Sequence, residues 1–209
     1  AVFGVMRACA LLKLPIHVVG VAPLTPNMPS GSAYKPGDIV RTYNGKTIEV
    51  LNTDAEGRVL LSDALAWTEE QFKPEAMVDL ATLTGACSVA LGSLAIAGMG
   101  TDDKLLRRIV DAGENVHELV WPLPFWDEYD EHIKTEIADV KNLGGRQGGT
   151  ITGGRFLRKF VKDTPWVHLD IASTAWDEGA AAKFNPEYSP KHSATGVGVR
   201  LMVEMLRYW

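Results

Sequence analysis

Two carboxylates and an arginine lie within one seven-residue segment, Asn52-Thr53-Asp54-Ala55-Glu56-Gly57-Arg58. If this segment is extended, Asp54 and Glu56 point to the same side, because side chains alternate with a period of two. Paired oxygen ligands suit a divalent cation, or two cations about 3.5–4 Å apart in a hydrolytic site. Arg58 adds a planar fork of donors that suits a carboxylate, a carbonate or a developing oxyanion. The chemistry of the segment thus indicates a metal site.

The same segment also has the pattern of a helix start. Thr53 and Glu56 have the spacing of a capping box, in which the threonine hydroxyl accepts from the Glu56 N–H and the glutamate reaches back. Asp54 would then be a first-turn acid that the helix dipole favours. Capping boxes occur in every class of protein, so spacing alone favours the cap over the metal site and leaves both open.

The elements around the segment are predicted from turn chemistry and hydrophobic period. Residues 38–43 and 46–51 flank Asn44-Gly45, which is the strongest short hairpin signal. Residues 59–72 have the apolar period of a helix. A strand over 76–81 then leads into the turn Thr82-Leu83-Thr84-Gly85 and a helix.

That turn is a second candidate for chemistry, because ligands of α/β sheets bind at the carboxyl ends of strands. The N–H groups of the following helix start could hold a substrate carbonyl or an anion. An ordinary strand–helix turn with Thr84 as the cap explains the same residues equally well.

Alternating strands and helices over the rest of the chain predict an α/β fold in one domain, residues 1–209. We expect a mostly parallel sheet covered by helices on both faces, with a β-hairpin before the segment that contains Asp54. The apolar stretch 76–100 is interpreted as a strand, a turn and a helix. The other predicted elements are helices over 1–14, 101–117, 125–133, about 149–162 and 197–208, strands over 16–22 and 166–172, and a loop over 173–195.

Composition narrows the class of protein. With 209 residues, 46% hydrophobic and 22% charged, the chain is typical of a soluble globular protein, and its net charge of -5 gives no electrostatic reason to expect nucleic acid. Asp79 and repeated glycines interrupt the apolar stretch, so we expect no membrane span. Cys9 and Cys87 have apolar neighbours, which predicts buried thiols in a reducing compartment.

Several other hydrolytic chemistries are disfavoured. The sequence contains no Gly-x-Ser-x-Gly elbow, no Cys-x-x-Cys and no His-Glu-x-x-His. Burial would raise the pKa of Cys87 and reduce its reactivity, so a cysteine-dependent hydrolase is a weak alternative. The glycine-rich run at 144–149 is not followed by Gly-Lys-Ser/Thr and is therefore not a P-loop.

The segment Asn52 to Arg58 resembles the signature of the leucyl (cytosol) aminopeptidase family. Further motifs follow the family pattern in the same order: Asn27-Met28-Pro29, Tyr34-Lys35-Pro36-Gly37-Asp38, Asp79-Leu80-Ala81-Thr82-Leu83-Thr84-Gly85-Ala86, Gly149-Thr150-Ile151-Thr152 and His168-Leu169-Asp170-Ile171-Ala172. The resemblance covers essentially the whole chain, and it reverses the preference for a mere cap.

The resemblance implies a cytoplasmic, homohexameric metalloprotease that releases leucine-like N-terminal residues from peptides with two divalent ions, Mn²⁺, Zn²⁺ or Mg²⁺. It implies that Asp54 and Glu56 bind metal and that the catalytic Arg58 holds a bicarbonate. It also implies that the substrate-binding residues are Asn52, Thr82, Leu83, Gly85, Ala172 and Ala175.

The family's other metal ligands and its separate N-terminal domain precede the position that aligns with Ala1. We therefore expect a catalytic domain truncated at its N-terminal side, with the missing upstream segment of the same protein as a partner. The alternative is a catalytically incomplete fragment that acts as a binding or assembly subunit.

Overall fold

The computed structural model describes residues 1–176 and 193–209. Its helices are α1 (Val2–Leu12), α2 (Glu56–Phe72), α3 (Gly85–Leu91), α4 (Asp103–Val116), α5 (Gly149–Arg158) and α6 (Val199–Arg207), with 3₁₀ helices at Thr53–Ala55 and Asp127–Ile133. Its strands are β1 (Ile39–Arg41), β2 (Thr47–Glu49), β3 (Met77–Ala81), β4 (Ile96–Gly100), β5 (Val120–Pro122), β6 (Val140–Lys141) and β7 (Trp166–Asp170). Of the predicted loop over 173–195, residues 177–192 lie outside the described residues.

The predicted hairpin is confirmed. Strands β1 and β2 pair antiparallel, and β2 pairs parallel with β6 to complete a small sheet. Gly45 has φ +86°, a conformation that glycine adopts without strain, and the Asn44 side chain accepts from the Thr42 hydroxyl at 2.9 Å. The chain therefore reverses at Asn44-Gly45 and leads directly to Asn52.

Two of the three strand pairs of the main sheet, β3–β7 and β4–β5, are parallel as predicted, and the third pair is antiparallel. The strand order is β3-β7-β4-β5, and β7 runs parallel to β3 but antiparallel to β4. Strand β4 was not predicted, because the apolar stretch 76–100 has no period that separates a buried strand from a helix. The antiparallel pair is a long-range contact between β4 and β7 that no local signal reveals.

The predicted strand over 16–22 is wrong. Those residues pair with no strand of the described part of the chain, and His17 is exposed. The segment instead lies against α1, where the Met6 and Val2 side chains approach Gly20 so closely that a Cβ there would meet them at 2.6 and 3.1 Å. The chain at Gly20 packs on α1, and the segment forms no ladder with another strand of the described residues.

Helices cover the main sheet on both faces, as predicted for an α/β fold. One face carries Val167 and Leu169 of β7 into a core with α1, α4 and α6. The other face carries Met77 and Trp166 into a core with α2 and α5. Both cysteines are free and buried, as expected.

No helix of residues 1–176 and 193–209 is long and apolar enough to cross a membrane.

Candidate active site

The segment that carries the two carboxylates is helical. A 3₁₀ turn at Thr53–Ala55 leads into α2, which begins at Glu56. The extended backbone that would point Asp54 and Glu56 to the same side therefore does not occur, and residues two apart in a helix do not face each other. The predicted helix start is confirmed, but the capping box of Thr53 and Glu56 is wrong: α2 has no side-chain cap, and Asn52 instead caps the preceding 3₁₀ turn, where its side-chain oxygen accepts from the Asp54 N–H at 2.9 Å.

Asp54 and Glu56 nevertheless have no protein partner among the described residues. Asp54 is exposed and Glu56 is half-buried, and neither carboxylate accepts a hydrogen bond or an ion pair from residues 1–176 or 193–209. Burial raises the pKa of the Tyr34 phenol, and the nearby negative charge of Glu56 raises it further. Both carboxylates are thus available to an external cation.

The fit to a metal ion is partial. Carboxylate oxygens suit a hard divalent cation, but hydrolytic metal sites use three or more protein ligands. Within the described ranges, no group of three or more His, Cys, Asp or Glu side chains is placed to hold a metal. Asp54 and Glu56 can therefore supply only part of a coordination sphere.

Asn142 holds the chain immediately before this helix start, a contact that the sequence did not reveal. Its side-chain oxygen accepts from the N–H groups of Leu51 at 2.8 Å and Asn52 at 3.3 Å, and its amide donates to the Asn52 carbonyl at 2.7 Å. Asn142 is fully buried and directly follows β6. The small sheet thereby positions Asn52, which in turn caps the turn that bears Asp54.

Arg58 is a buried cation, with 7% of its surface exposed. Its guanidinium lies 5.9 Å from the centre of the Phe156 ring and donates no hydrogen bond to the described residues. Burial lowers the pKa of Arg58, and the negative charge of Asp170 acts in the opposite direction. A buried guanidinium with unused donors has the charge and the donor geometry that suit an anion.

The turn Thr82–Gly85 leaves the carboxyl end of β3 as predicted, and Thr84 is the cap of α3. Its hydroxyl accepts from the Cys87 N–H at 3.2 Å. The neighbouring Leu83 N–H donates to Asp170 at 3.1 Å. The prediction of a Thr84 cap is therefore confirmed.

Helix α5 brings Arg58 and this turn together. A Cβ on Gly153 would lie 2.9 Å from Thr84 Cγ2, 3.2 Å from Leu83 Cδ2 and 3.6 Å from Arg58 Nη2. Only a residue without a side chain allows α5 to approach this closely. The Thr82–Gly85 turn, which is predicted to bind substrate, and the buried Arg58 therefore both contact the same surface of α5.

Ala172 and Ala175 follow β7 but contact different parts of the molecule. Ala172 packs on the cluster of Cys87 and Met99, beside the Thr82–Gly85 turn. Ala175 packs instead against the core on the opposite face of the sheet. The structure thus brings Ala172 close to Leu83, whereas it does not group Ala175 with them.

A buried polar pair also lies on the site face of the main sheet. His168 Nδ1 is 2.7 Å from Asp79 Oδ1, and the other oxygen of Asp79 accepts from Trp166 Nε1 at 2.8 Å. Burial lowers the pKa of His168, and so does the positive charge of Arg58. The negative charges of Asp79 and Asp170 raise that pKa by more, so the pKa of His168 is higher than usual. His168 Nε2 is the one buried side-chain nitrogen or oxygen of the described residues without a hydrogen-bond partner.

Asp54, Glu56 and the buried Arg58 lie together at the start of α2 in an α/β fold. Comparison with known proteins shows the family to which this fold belongs. The family model described as "Cytosol aminopeptidase family, catalytic domain" matches residues 1–203. The chain belongs to the cytosol aminopeptidase family.

Individual relatives show the same match. A protein of Geobacter sp. (strain M21) called a probable cytosol aminopeptidase is 55% identical over 207 residues, which are 99% of this chain and 41% of that protein. One from Cenarchaeum symbiosum (strain A) with the same description is 51% identical, over 99% of this chain and 42% of its own length.

A solved structure of a tomato leucine aminopeptidase mutant superimposes with a TM-score of 0.79 at 42% identity, and the match covers 87% of this chain and 34% of that one. The chain thus spans about two fifths of the length of the curated relatives it matches.

Proposed function

We propose that this chain is the catalytic domain of a metal-dependent aminopeptidase that hydrolyses the first peptide bond of its substrates, with leucine-like residues preferred. The observation that carries the proposal is the segment Asn52 to Arg58. It sets two carboxylates that have no partner among residues 1–176 and 193–209 on the same helix start as a buried arginine, in a chain of the cytosol aminopeptidase family.

Asp54 and Glu56 would hold part of the site for two divalent ions, Mn²⁺, Zn²⁺ or Mg²⁺, and the remaining ligands would come from the upstream segment. When bound, such ions polarise the scissile carbonyl and lower the pKa of a bound water. Asn52 holds the helix start that bears Asp54 and helps to position the substrate.

Arg58 would bind bicarbonate, which would act as the general base. Its support is the burial of the guanidinium and its lack of a hydrogen bond to the described residues. A planar anion with two oxygens matches the donor fork of arginine. The largely buried position of Arg58 strengthens the attraction between the anion and the cation.

The substrate would lie between two segments. Thr82, Leu83 and Gly85 would line the cleft beside the scissile bond, and Ala172 would line the pocket for the first side chain, whereas the packing of Ala175 on the opposite face of the sheet gives that residue no support for the same role. The contact between Ala172 and the cluster beside α3 supports the role of Ala172 in the pocket. We further propose a homohexamer and a cytoplasmic location, the latter supported by two free cysteines in place of a disulfide.

The test is the release of p-nitroaniline from leucyl-p-nitroanilide by the protein as its gene encodes it, with Mn²⁺ present. EDTA should abolish turnover, and added Mn²⁺ should restore it. Asp54→Asn and Glu56→Gln should each lower kcat/KM by about 100-fold or more, on the scale of losing a metal ligand.

Glu70→Gln is the matched control, because Glu70 is an exposed glutamate on the same helix α2 with no role in the site. It should leave the rate unchanged. Wild-type protein with no Mn²⁺-dependent turnover, or undiminished turnover in both carboxylate variants, would refute the proposal.

A further inference from the structure

A single buried carboxylate connects the two segments that the proposed function assigns to the substrate. Asp170 ends β7 and has no exposed surface. Its Oδ1 accepts from the Leu83 N–H at 3.1 Å, the Thr84 N–H at 3.5 Å and the Ala172 N–H at 3.1 Å. Its Oδ2 accepts from the Thr84 hydroxyl at 2.6 Å. Strand β7 thereby holds the turn before α3 and the turn after itself through one side chain.

The direction of the hydroxyl bonds follows from donor counting. An ionised carboxylate only accepts, so the single Thr84 proton points at Asp170 Oδ2. Thr84 Oγ1 must then accept from its other two neighbours, the Cys87 N–H at 3.2 Å and the Thr150 hydroxyl at 3.2 Å. Thr150 belongs to the first turn of α5. Asp170, at the end of β7, therefore bonds directly to the start of α3, and it is connected to the start of α5 through the Thr84 hydroxyl.

We propose that Asp170 is the positioning residue of the cleft: it sets the separation between Leu83, which would line the cleft beside the scissile bond, and Ala172, which would line the pocket for the substrate's first side chain. This inference rests on the proposed function, since it takes Leu83 and Ala172 as substrate-lining residues. Asp170 touches neither substrate nor metal in this role. It acts through the two backbone segments that it bonds.

Two perturbations separate this role from simple charge loss. Asp170→Asn replaces one acceptor oxygen by a donor, which conflicts with the Thr84 proton and removes the negative charge near Arg58. Thr84→Val is isosteric, removes only the hydroxyl and leaves the charge of Asp170 in place. Thr84→Ser keeps the hydroxyl and should restore what Thr84→Val loses.

The matched control is Glu118→Gln. Glu118 is also a buried carboxylate that accepts from main-chain N–H groups, those of Gly198 and Leu201 at 3.0 Å each. It lies at the start of α6, against the opposite face of the sheet, so its loss should reduce stability without moving the cleft.

The experiment measures kcat and KM for leucyl and alanyl p-nitroanilides in the Mn²⁺-loaded protein as its gene encodes it. Asp170→Asn and Thr84→Val should each raise KM for the leucyl substrate about tenfold, which is the scale of an unpaired buried polar group, with a smaller change in kcat. Their leucyl-to-alanyl ratio of kcat/KM should move by about fivefold or more. Thr84→Ser should return both values towards wild type, and Glu118→Gln should change neither.

Amide hydrogen exchange gives a readout that does not depend on activity, and it also covers the case in which Asp170→Asn does not fold. In Thr84→Val, the amides of Leu83 and Ala172 should exchange faster than in wild type, whereas in Glu118→Gln they should not. A folded Asp170→Asn or Thr84→Val protein with a wild-type selectivity ratio and unchanged exchange would overturn the inference alone. Absence of metal-dependent turnover in the wild type would overturn the proposed function and the inference with it.

Discussion

Substituting Gly153 by alanine tests whether α5 must contact the Thr82–Gly85 turn as closely as the structure shows. The new Cβ would lie 2.9 Å from Thr84 Cγ2 and 3.2 Å from Leu83 Cδ2, inside the 3.5–4.0 Å or so at which carbon atoms pack favourably. Thr84 cannot simply rotate away, because its hydroxyl is bonded to Asp170 and Cys87. The helix must therefore move, or the turn must.

The size of the effect follows from two opposing contributions. Overpacking of this kind costs about 1–3 kcal/mol, whereas alanine in place of glycine inside a helix gains about 0.5–1 kcal/mol. Gly57→Ala supplies the second contribution alone, because Gly57 lies in α2 and a Cβ there meets nothing within 4 Å. The difference in unfolding free energy between the two variants should therefore equal the packing cost.

Urea unfolding of both variants measures that difference directly. We expect Gly57→Ala to be slightly more stable than wild type and Gly153→Ala to be less stable than Gly57→Ala by about 1–3 kcal/mol. Movement of the turn should also raise KM for the leucyl substrate in Gly153→Ala. If the two variants unfold at the same urea concentration, the close approach of α5 to the turn is wrong.

Three further predictions concern ionisable groups. Burial raises the pKa of Asp130, but Arg155 of α5 and Lys159 directly after it outweigh burial and make that pKa lower than usual. Asp130→Asn should therefore lose about 1–3 kcal/mol of stability at pH 7, and in urea titrations the loss should disappear as the pH falls below about 4. Against the effect of burial, Asp79 raises the pKa of His168, so protonation of His168 stabilises the fold at low pH. The free energy of unfolding should therefore fall as the pH rises above about 6.5, and in His168→Gln this pH dependence should be absent. Burial raises the pKa of both Cys9 and Cys87, so iodoacetamide should label neither in native protein and both in urea, and rapid native labelling that abolishes turnover would instead support a thiol mechanism.

Much of the fold was predictable because its signals are local. The hairpin follows from Asn44-Gly45, and α2 follows from a helical apolar period. The cap of α3 follows from a threonine between a strand and a helix. In each case, residues close in sequence determine the backbone, so one window contains the information.

The site was only partly predictable, because its geometry depends on distant pairs. The spacing of Asp54 and Glu56 identified the segment, but the extended backbone that would align the two carboxylates is absent, since Asn52 caps a 3₁₀ turn there. Asp170 was visible only as an alternating polar residue in a buried strand. Its partners Leu83 and Thr84 are more than eighty positions away, so no spacing rule could reveal the connection.

The two faces of the main sheet differ in a way that argues for chemistry on one of them. Within β7, Val167 and Leu169 face an apolar core, whereas His168 and Asp170 alternate with them and are equally buried. Replacing buried charges by apolar residues of similar volume is often neutral or stabilising. We infer that the polar residues on this face serve the site near Arg58, and that a protein needing only a stable sheet would have apolar residues there.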